Sequence, residues 1–303
     1  MRLSDIFLFA LRELNGFDEE AINIAVKLAK NDVVETVEEL IDFVNFNIED
    51  EKFPNLSQPY YEKVIRKAVA KAKEYENKIV RHTYLDSDDY PKKLLHSQIG
   101  NLTGLDYKGN IKNLDCKIIT ITGSPTSTSN AKLAAKYFGK LFASNGYCIL
   151  SSYSGMCEQY SIKGCCEASG RSIFFLPHNM ENLSAKEKSV IPSELETGRS
   201  TLISVSKNAR ANDNSVSIAY DYIKALSDCL IVTQVKRNDN VMRLIQSYLA
   251  ANKPVFLINY KAGEDAEYDC CYLLTKLGAK YMSSNTALQQ VQDVIGHGRK
   301  IEL

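Results

Sequence analysis

The sequence lacks the charge excess that marks most nucleic-acid-binding proteins. Among its 303 residues, 37 Lys and Arg are balanced by 37 Asp and Glu, so the formal net charge is zero. A polyanionic ligand would therefore have to bind at a local basic patch. Long apolar runs are also missing. No stretch approaches the roughly 18–20 residues of a membrane span, and the short run Ile6–Leu11 predicts no signal peptide. We expect a cytoplasmic chain without a membrane segment.

Patterns for metal binding and catalysis are absent as well. The eight cysteines form no CxxC pair, and the four histidines are scattered without ligand spacing. We interpret the cysteines as small buried residues in a reducing cytosol. The sequence has no GxSxG motif, no cysteine with a plausible histidine partner and no close carboxylate pair in a candidate loop. We therefore expect no enzyme activity, no cofactor and no metal.

Apolar residues recur at helical spacing through the start of the chain, which predicts a small all-helical domain over residues 1–80. Asp18 and Asp32 are predicted to cap its second and third helices. A longer helix is predicted over Tyr60–Lys78. Residues 81–115 are interpreted as a connecting segment that packs on the main domain.

From residue 116 onward, short apolar runs alternate with helical stretches. Such runs are typical of parallel strands that are buried on both faces. The predicted strands are Lys117–Thr122, Tyr147–Ser151, Ser172–Leu176, Cys229–Thr233 and Val255–Asn259. The predicted helices are Asn130–Ser144, Cys157–Ala168, Ser215–Leu226, Asp239–Ala251, Ala266–Leu277 and Thr286–Ile295. This alternation predicts an α/β fold over residues 116–303, with a doubly wound, mostly parallel Rossmann-like sheet.

Ligands of such sheets bind at the carboxyl ends of the strands, and four connections qualify as binding loops. Residues 123–130 lie between a predicted strand and a predicted helix, and they include one glycine and five hydroxyl residues. This composition suits the binding of a phosphate group at the helix N-terminus. It is also what a helix cap alone would require. In residues 151–155, Tyr153 could stack on a base or pack at the sheet edge. Glu158, just after this loop, is interpreted as a charge at a helix N-terminus.

The other two connections contribute basic residues. Residues 233–240 contain Lys236 and Arg237, which could meet phosphates or be solvated turn residues. The stretch Pro177–Asn214 is predicted to be long and poor in strands, as binding loops often are. The predicted binding residues are Gly123, Ser124, Thr126, Ser127, Tyr153, Arg199, Lys207, Arg210, Lys236 and Arg237.

Several short motifs, taken in order, resemble those of the DprA/Smf DNA-processing family. Tyr90-Pro91 and the turn Lys108-Gly109-Asn110 are similar to the family's entry into its Rossmann-like domain. The similar motifs that follow are Ile119–Ser124, Gly146–Ser151, Gly170–Leu176, Leu226–Val232, Asn252–Phe256 and Leu277–Ala279. The resemblance covers residues 80–285, and the helical start of the chain around Leu11–Phe17 also resembles the family's small helical domain.

The sequence departs from the family where the family contacts DNA. Pro125 stands where the family has an arginine, and Ile162 stands where it has a histidine, although the acid of that motif is kept as Glu158. The family's arginines and asparagine before the Leu226 motif are also missing from residues 216–221. Only Gly123 and Ser124 match by position. The nearby basic residues that could substitute are Lys207, Arg210, Lys236 and Arg237.

The resemblance implies a homodimer that binds single-stranded DNA and hands it to a RecA-type recombinase, in natural transformation, recombination or phage defence. A co-encoded protein is an alternative partner. The main hypothesis is single-stranded DNA binding without catalysis. The alternatives are a nucleotide sensor and a regulatory, antitoxin-like subunit that uses the same pocket. The PGGxGTxxE loop of the superfamily's hydrolase branch is missing, so we do not expect nucleotide hydrolysis.

Overall fold

The computed structural model describes residues 3–29, 34–53, 56–77, 80–84, 90–95, 97, 104–206, 209–258 and 271–298. The chain divides into two compact units. The first comprises Met1–Tyr90 and Gly100–Lys108, and the second comprises Pro91–Ile99 and Gly109–Leu303. Residues 81–115, predicted as a connection, contribute to both units.

The first unit consists of four helices and an antiparallel strand pair. The helices are α1 (Asp5–Arg12), α2 (Glu19–Leu28), α3 (Val37–Glu49) and α4 (Glu62–Asn77), and the strands are β1 (Arg81–Tyr84) and β2 (Gly104–Gly109). Asp18 caps α2 as predicted, because its side chain accepts from the N–H of Ala21. The predicted start of the third helix is wrong. Thr36 caps α3 in a reciprocal capping box with Glu39, and Asp32 lies outside the described residues.

A charged group in the interior of the first unit joins α1 to the strand pair. Arg12 Nη1 donates to Asp106 Oδ1 at 2.6 Å, and His82 Nδ1 lies 2.7 Å from the same oxygen. His82 and Asp106 are both buried. Because buried charges are tolerated only when they are paired, this cluster fixes the position of α1 on β1 and β2.

The second unit contains a parallel sheet with helical connections. Its strands are β3 (Ile118–Thr122), β4 (Cys148–Ser151), β5 (Arg171–Leu176), β6 (Ser200–Ser204), β7 (Cys229–Val232), β8 (Val255–Ile258) and β9 (Lys280–Met282). Its helices are α5 (Lys92–Leu95), α6 (Ser129–Ser144), α7 (Met156–Glu167), α8 (Ala185–Lys188), α9 (Ile191–Glu196), α10 (Asp213–Leu226), α11 (Val241–Ala250), α12 (Cys271–Lys276) and α13 (Ala287–Ile295), with a 3-10 helix at Ile111–Asp115.

These strands lie in the order β6-β5-β4-β3-β7-β8-β9, and every pairing between neighbours is parallel. Strands β3 to β5 of the central sheet are almost completely buried. Since parallel crossovers are right-handed, α6 and α7 cover one face of the sheet and α11 the other. The predicted doubly wound α/β class is confirmed. Within the described part of the chain, no helix combines the length and the apolar character needed to cross a bilayer.

The interpretation of Pro177–Asn214 as a strand-poor loop is wrong, because this stretch contains β6, α8 and α9. β6 was difficult to predict because three of its five residues carry hydroxyl groups. These hydroxyls are buried and paired: Ser200 with Ser172, Thr201 with the carbonyl of Asn110, and Ser204 with the carbonyl of His178. Strand β9 was not predicted either. Of the predicted helix Ala266–Leu277, residues 266–270 lie outside the described residues, as does Asn259.

Helices α6 and α7 pack against each other at two glycines. A Cβ on Gly139 would lie 2.1 Å from the carbonyl oxygen of Ser161, and a Cβ on Gly164 would lie 2.0 Å from the carbonyl oxygen of Lys136. The backbones of the two helices are therefore in direct contact. This contact fixes α6, whose N-terminus lies at the carboxyl edge of the sheet.

Candidate functional site

The strand order reverses direction at β3, which has β4 on one side and β7 on the other. Ligands of doubly wound sheets bind outside the strand ends at such a switch point. Thr122 and Val232, the last residues of β3 and β7, are paired directly, so the loops that follow leave the sheet side by side. We call residues 123–132 and 233–243 the switch-point surface. It consists of these two loops and the first turns of α6 and α11.

The loop after β3 is closed by hydrogen bonds to the loop after β7. The backbone N–H of Ser124 donates to the carbonyl oxygen of Gln234 at 2.7 Å. Gln234 Oε1 accepts from the N–H and the hydroxyl of Thr128, at 3.1 and 3.0 Å. The hydroxyl of Ser127 donates to the carbonyl of Ser124. Ser124 and Ser127 are buried, so these two predicted phosphate ligands form their hydrogen bonds inside the protein.

Thr126 and Gly123 have different places in the same loop. Thr126 is exposed at the rim, and its N–H donates to Ser124 Oγ at 3.3 Å. Gly123 lies beneath the loop, where a Cβ would be 2.4 Å from Thr233 Oγ1 and 2.8 Å from Cys157 Sγ. No side chain fits there, and Gly123 therefore allows β3, β7 and α7 to approach closely.

A buried thiol and a buried carboxyl group lie under the site. The thiol of Cys157 donates to Ser127 Oγ at 3.0 Å and accepts from Thr233 Oγ1 at 3.1 Å, and burial raises its pKa. Such a thiol is unreactive. Among the described residues, no group of three or more His, Cys, Asp or Glu side chains could hold a metal ion.

Glu158, in the first turn of α7, joins that helix to the end of β3. Its Oε1 accepts the hydroxyl proton of Thr122 at 2.5 Å, and its Oε2 has no hydrogen-bond partner among the described residues. Burial raises the pKa of this carboxyl group. The predicted place at a helix N-terminus is confirmed, but the side chain is buried rather than solvated.

The switch-point surface is locally positive. Its four cations are Lys132 in the first turn of α6, Lys236 and Arg237 in the loop after β7, and Arg243 in the first turn of α11. Its one carboxylate, Asp239, accepts from the backbone N–H of Lys236 at 2.7 Å. Arg237 and Arg243 are exposed. Lys132 and Arg243 were not predicted from the sequence, although a basic residue in the helical turn after a binding loop is a usable signal.

Tyr153 is a packing residue in this structure rather than an exposed stacking platform. Its ring is 8% exposed and lies edge-on against Phe174, with 5.6 Å between the ring centroids. Its φ is +54°, a left-handed conformation that is uncommon for a bulky side chain. The hydroxyl of Ser151 supports this turn by accepting from the N–H of Tyr153 at 2.9 Å.

Two further predicted residues, Arg199 and Arg210, lie away from the switch-point surface. Arg199 immediately precedes β6 and therefore lies at the amino edge of the sheet, the opposite side from the loops. It was assigned to a binding loop because β6 was not recognised in the sequence. Arg210 is exposed in the connection from β6 to α10, three strands away from β3. Lys207 lies outside the described residues.

Comparisons with known proteins agree with this architecture. The model of the family described as DNA recombination-mediator protein A matches residues 81–293. DNA processing protein A (DprA) from Streptococcus pneumoniae has a similar fold, with a TM-score of 0.69, 15% identity, and coverage of 96% of this chain and 98% of that chain. DNA processing protein A from Helicobacter pylori gives a TM-score of 0.60 and 18% identity, with 70% of this chain and 97% of that chain covered. A comparison with curated proteins finds no match. Since the family model spans more than half of the sequence, the chain belongs to the DNA recombination-mediator protein A family.

Proposed function

We propose that the chain binds single-stranded DNA on the switch-point surface and acts in DNA processing, recombination or defence as a binding protein rather than an enzyme. The observation that carries this proposal is the concentration of four cations against one carboxylate in two adjacent segments, in a chain whose formal net charge is zero. Phosphate backbones bind such patches largely through electrostatics. Family membership supports the proposal, and the Helicobacter pylori protein is itself described as binding single-stranded DNA.

The exposed cations of the switch-point surface fit a DNA strand that lies across this surface. The hydroxyls of Ser124 and Ser127 already form hydrogen bonds within the loop, whereas Arg237 and Arg243 are exposed along the rim. A nucleotide sensor would need convergent donors in a cleft. We therefore favour a strand over a mononucleotide as the ligand.

Fluorescence anisotropy with a labelled oligonucleotide across a salt series tests the proposal. Two to four phosphate contacts should give a slope of about −1.4 to −2.8 in log K against log salt, at about −0.7 per contact. The double variant Arg237→Glu with Arg243→Glu should flatten this slope by about 1.4 units. Lys63→Glu with Lys67→Glu changes the net charge equally on exposed residues of α4 and is the matched control, with an unchanged slope expected.

Three results would count against this reading. The same slope for the wild type and the arginine variant would remove these arginines from the interface. Absence of strand binding by the wild type would overturn the proposed function. A rise in melting temperature with a free mononucleotide, together with no strand binding, would favour the sensor instead.

The partners and location predicted from the sequence are proposals too. Lys236 is proposed as a further phosphate contact on the switch-point surface, and Arg210 as a contact outside it. The family resemblance supports a homodimer that passes DNA to a RecA-type recombinase or to a co-encoded protein, and light scattering and pull-down experiments would test both. The six described cysteines are free thiols, which supports a reducing cytoplasmic location.

A further inference from the structure

Helix α6 carries a one-sided positive charge that begins at the switch-point surface. Its sixteen residues contain three lysines and no acidic residue. The lysines, at positions 132, 136 and 140, recur at i, i+4 and i+8. They therefore form one row, with about 6 Å of helix rise between successive lysines. The first of them, Lys132, already belongs to the switch-point surface.

A second row of large apolar side chains runs beside the lysines. Leu133 is 60% exposed and Tyr137 is 48% exposed, one turn apart on α6. The Tyr137 ring packs edge-on against Phe138, with 5.2 Å between the centroids, so its position is supported while much of its surface faces solvent. Aromatic rings next to cations are what proteins use to stack the bases of single strands while they bind the backbone.

Helix α7 adds to the same charged surface. Lys136 Nζ forms an ion pair with Glu167 Oε1 at 2.6 Å. The hydrogen bond from Lys136, with the charges of Lys140 and Lys163, lowers the pKa of that carboxyl group. Three lysines thus surround one carboxylate, and the surface keeps an excess of positive charge. The glycine contact between the two helices holds this surface rigid, so little ordering is required when a ligand binds.

We propose that this surface, made of Lys132, Leu133, Lys136, Tyr137 and Lys140 of α6 with Lys163 of α7, is a track along which a bound single strand continues beyond the switch-point surface. The inference rests on the proposed function and extends it, since the partner is the same polyanion. Charge complementarity and continuity with the first binding surface favour DNA over an acidic protein segment. From Lys132 to Lys140, the track extends over about 12 Å of helix.

The test compares two oligonucleotide lengths on the full chain. A strand of about six nucleotides can occupy the switch-point surface alone, whereas one of about twenty can also reach the track. The variant Tyr137→Ala with Lys140→Glu removes a stacking group and a cation while leaving the Lys136–Glu167 pair intact. Lys67→Glu, also in the middle of a helix and exposed, is the control for charge. Thermal melting verifies that each variant is folded.

Longer strands offer more overlapping registers, so affinities are compared between proteins at one length. We expect the track variant to bind the longer strand about tenfold more weakly than the wild type, as the loss of one stacked base predicts, and to bind the shorter strand within about twofold. The control should match the wild type at both lengths.

Equal binding of the longer strand by wild type and track variant would overturn the track while leaving the proposed function intact. Equal losses of affinity for the shorter and the longer oligonucleotide would mean that Tyr137 and Lys140 act at the switch-point surface and not on a separate track. Absence of wild-type binding at either length would refute the proposed function itself.

Discussion

Replacing Gly164 by alanine sets two opposite effects against each other. Alanine is favoured over glycine inside a helix by about 1 kcal/mol. The added Cβ, however, would lie 2.0 Å from the carbonyl oxygen of Lys136, where real Cβ contacts do not fall below 3.0 Å. Helix α6 would have to move by about 1 Å, and the obstructing atoms belong to the backbone, so no side-chain rotation relieves the contact. Overpacking of this kind costs about 1–3 kcal/mol, so after the gain in helix propensity we expect a net loss of about 1 kcal/mol.

Thermal and urea unfolding measure this loss. For a unit of this size, about 1 kcal/mol corresponds to a decrease in Tm of roughly 2–4 °C. The control is Lys163→Ala, which changes the adjacent exposed residue of the same helix and should alter Tm little. An unchanged or higher Tm for Gly164→Ala would mean that helix propensity outweighs the contact. The close packing of α6 on α7 would then be refuted.

Three further predictions concern charged groups. Asp106→Asn leaves the half-buried Arg12 without its counter-ion and should cost about 3–5 kcal/mol in urea unfolding; a loss below 1 kcal/mol would contradict this role. The hydrogen bond to Glu187 raises the pKa of His178, so the pair stabilises the fold below pH 6.5 and loses this effect as pH rises through the folded pKa. The Tm deficit of His178→Asn should therefore shrink between about pH 5.5 and about pH 9, and a constant deficit would argue against the ion pair. Burial raises the pKa of Glu158, so wild-type stability should fall as pH rises above 4.5; thermal melts of Glu158→Gln should show a weaker fall, and an equal one would contradict the buried carboxyl group.

The fold was predictable where burial and sequence pattern agree. The predicted strand Lys117–Thr122 coincides with β3 to within one residue, because a central parallel strand is apolar on both faces. Strand β6 was not predicted because its serine and threonine residues do not look like core residues in the sequence. Their hydroxyl groups are buried through hydrogen bonds to residues distant in the chain, such as Asn110. The start of α3 is readable from Thr36 and Glu39, whose spacing is a capping box, so the predicted cap at Asp32 is four residues too early.

The place of the candidate site was predictable, but its internal contacts were not. The loops lie where strand–helix alternation places them, at the carboxyl ends of β3 and β7. The N–H of Ser124 and both donors of Thr128 are satisfied by Gln234, about 110 residues further along the chain. Local composition suggests hydroxyl donors for a phosphate, and only the tertiary contact with Gln234 shows that the loop is already satisfied.

Under the proposed function, the closed loop after β3 restricts where a DNA strand could bind. The resemblance places an arginine directly after Ser124, where this chain has Pro125, and the groups beneath that position are bonded to one another. The available cations are displaced outward instead, to Lys132, Arg237 and Arg243 in the loop and helical turns that frame the closed loop. Such exposed contacts are each weak, because exposed charges are strongly screened by salt. Under the proposed function, affinity would come mainly from additional contacts along the DNA strand, and this is the role proposed for the lysines of α6.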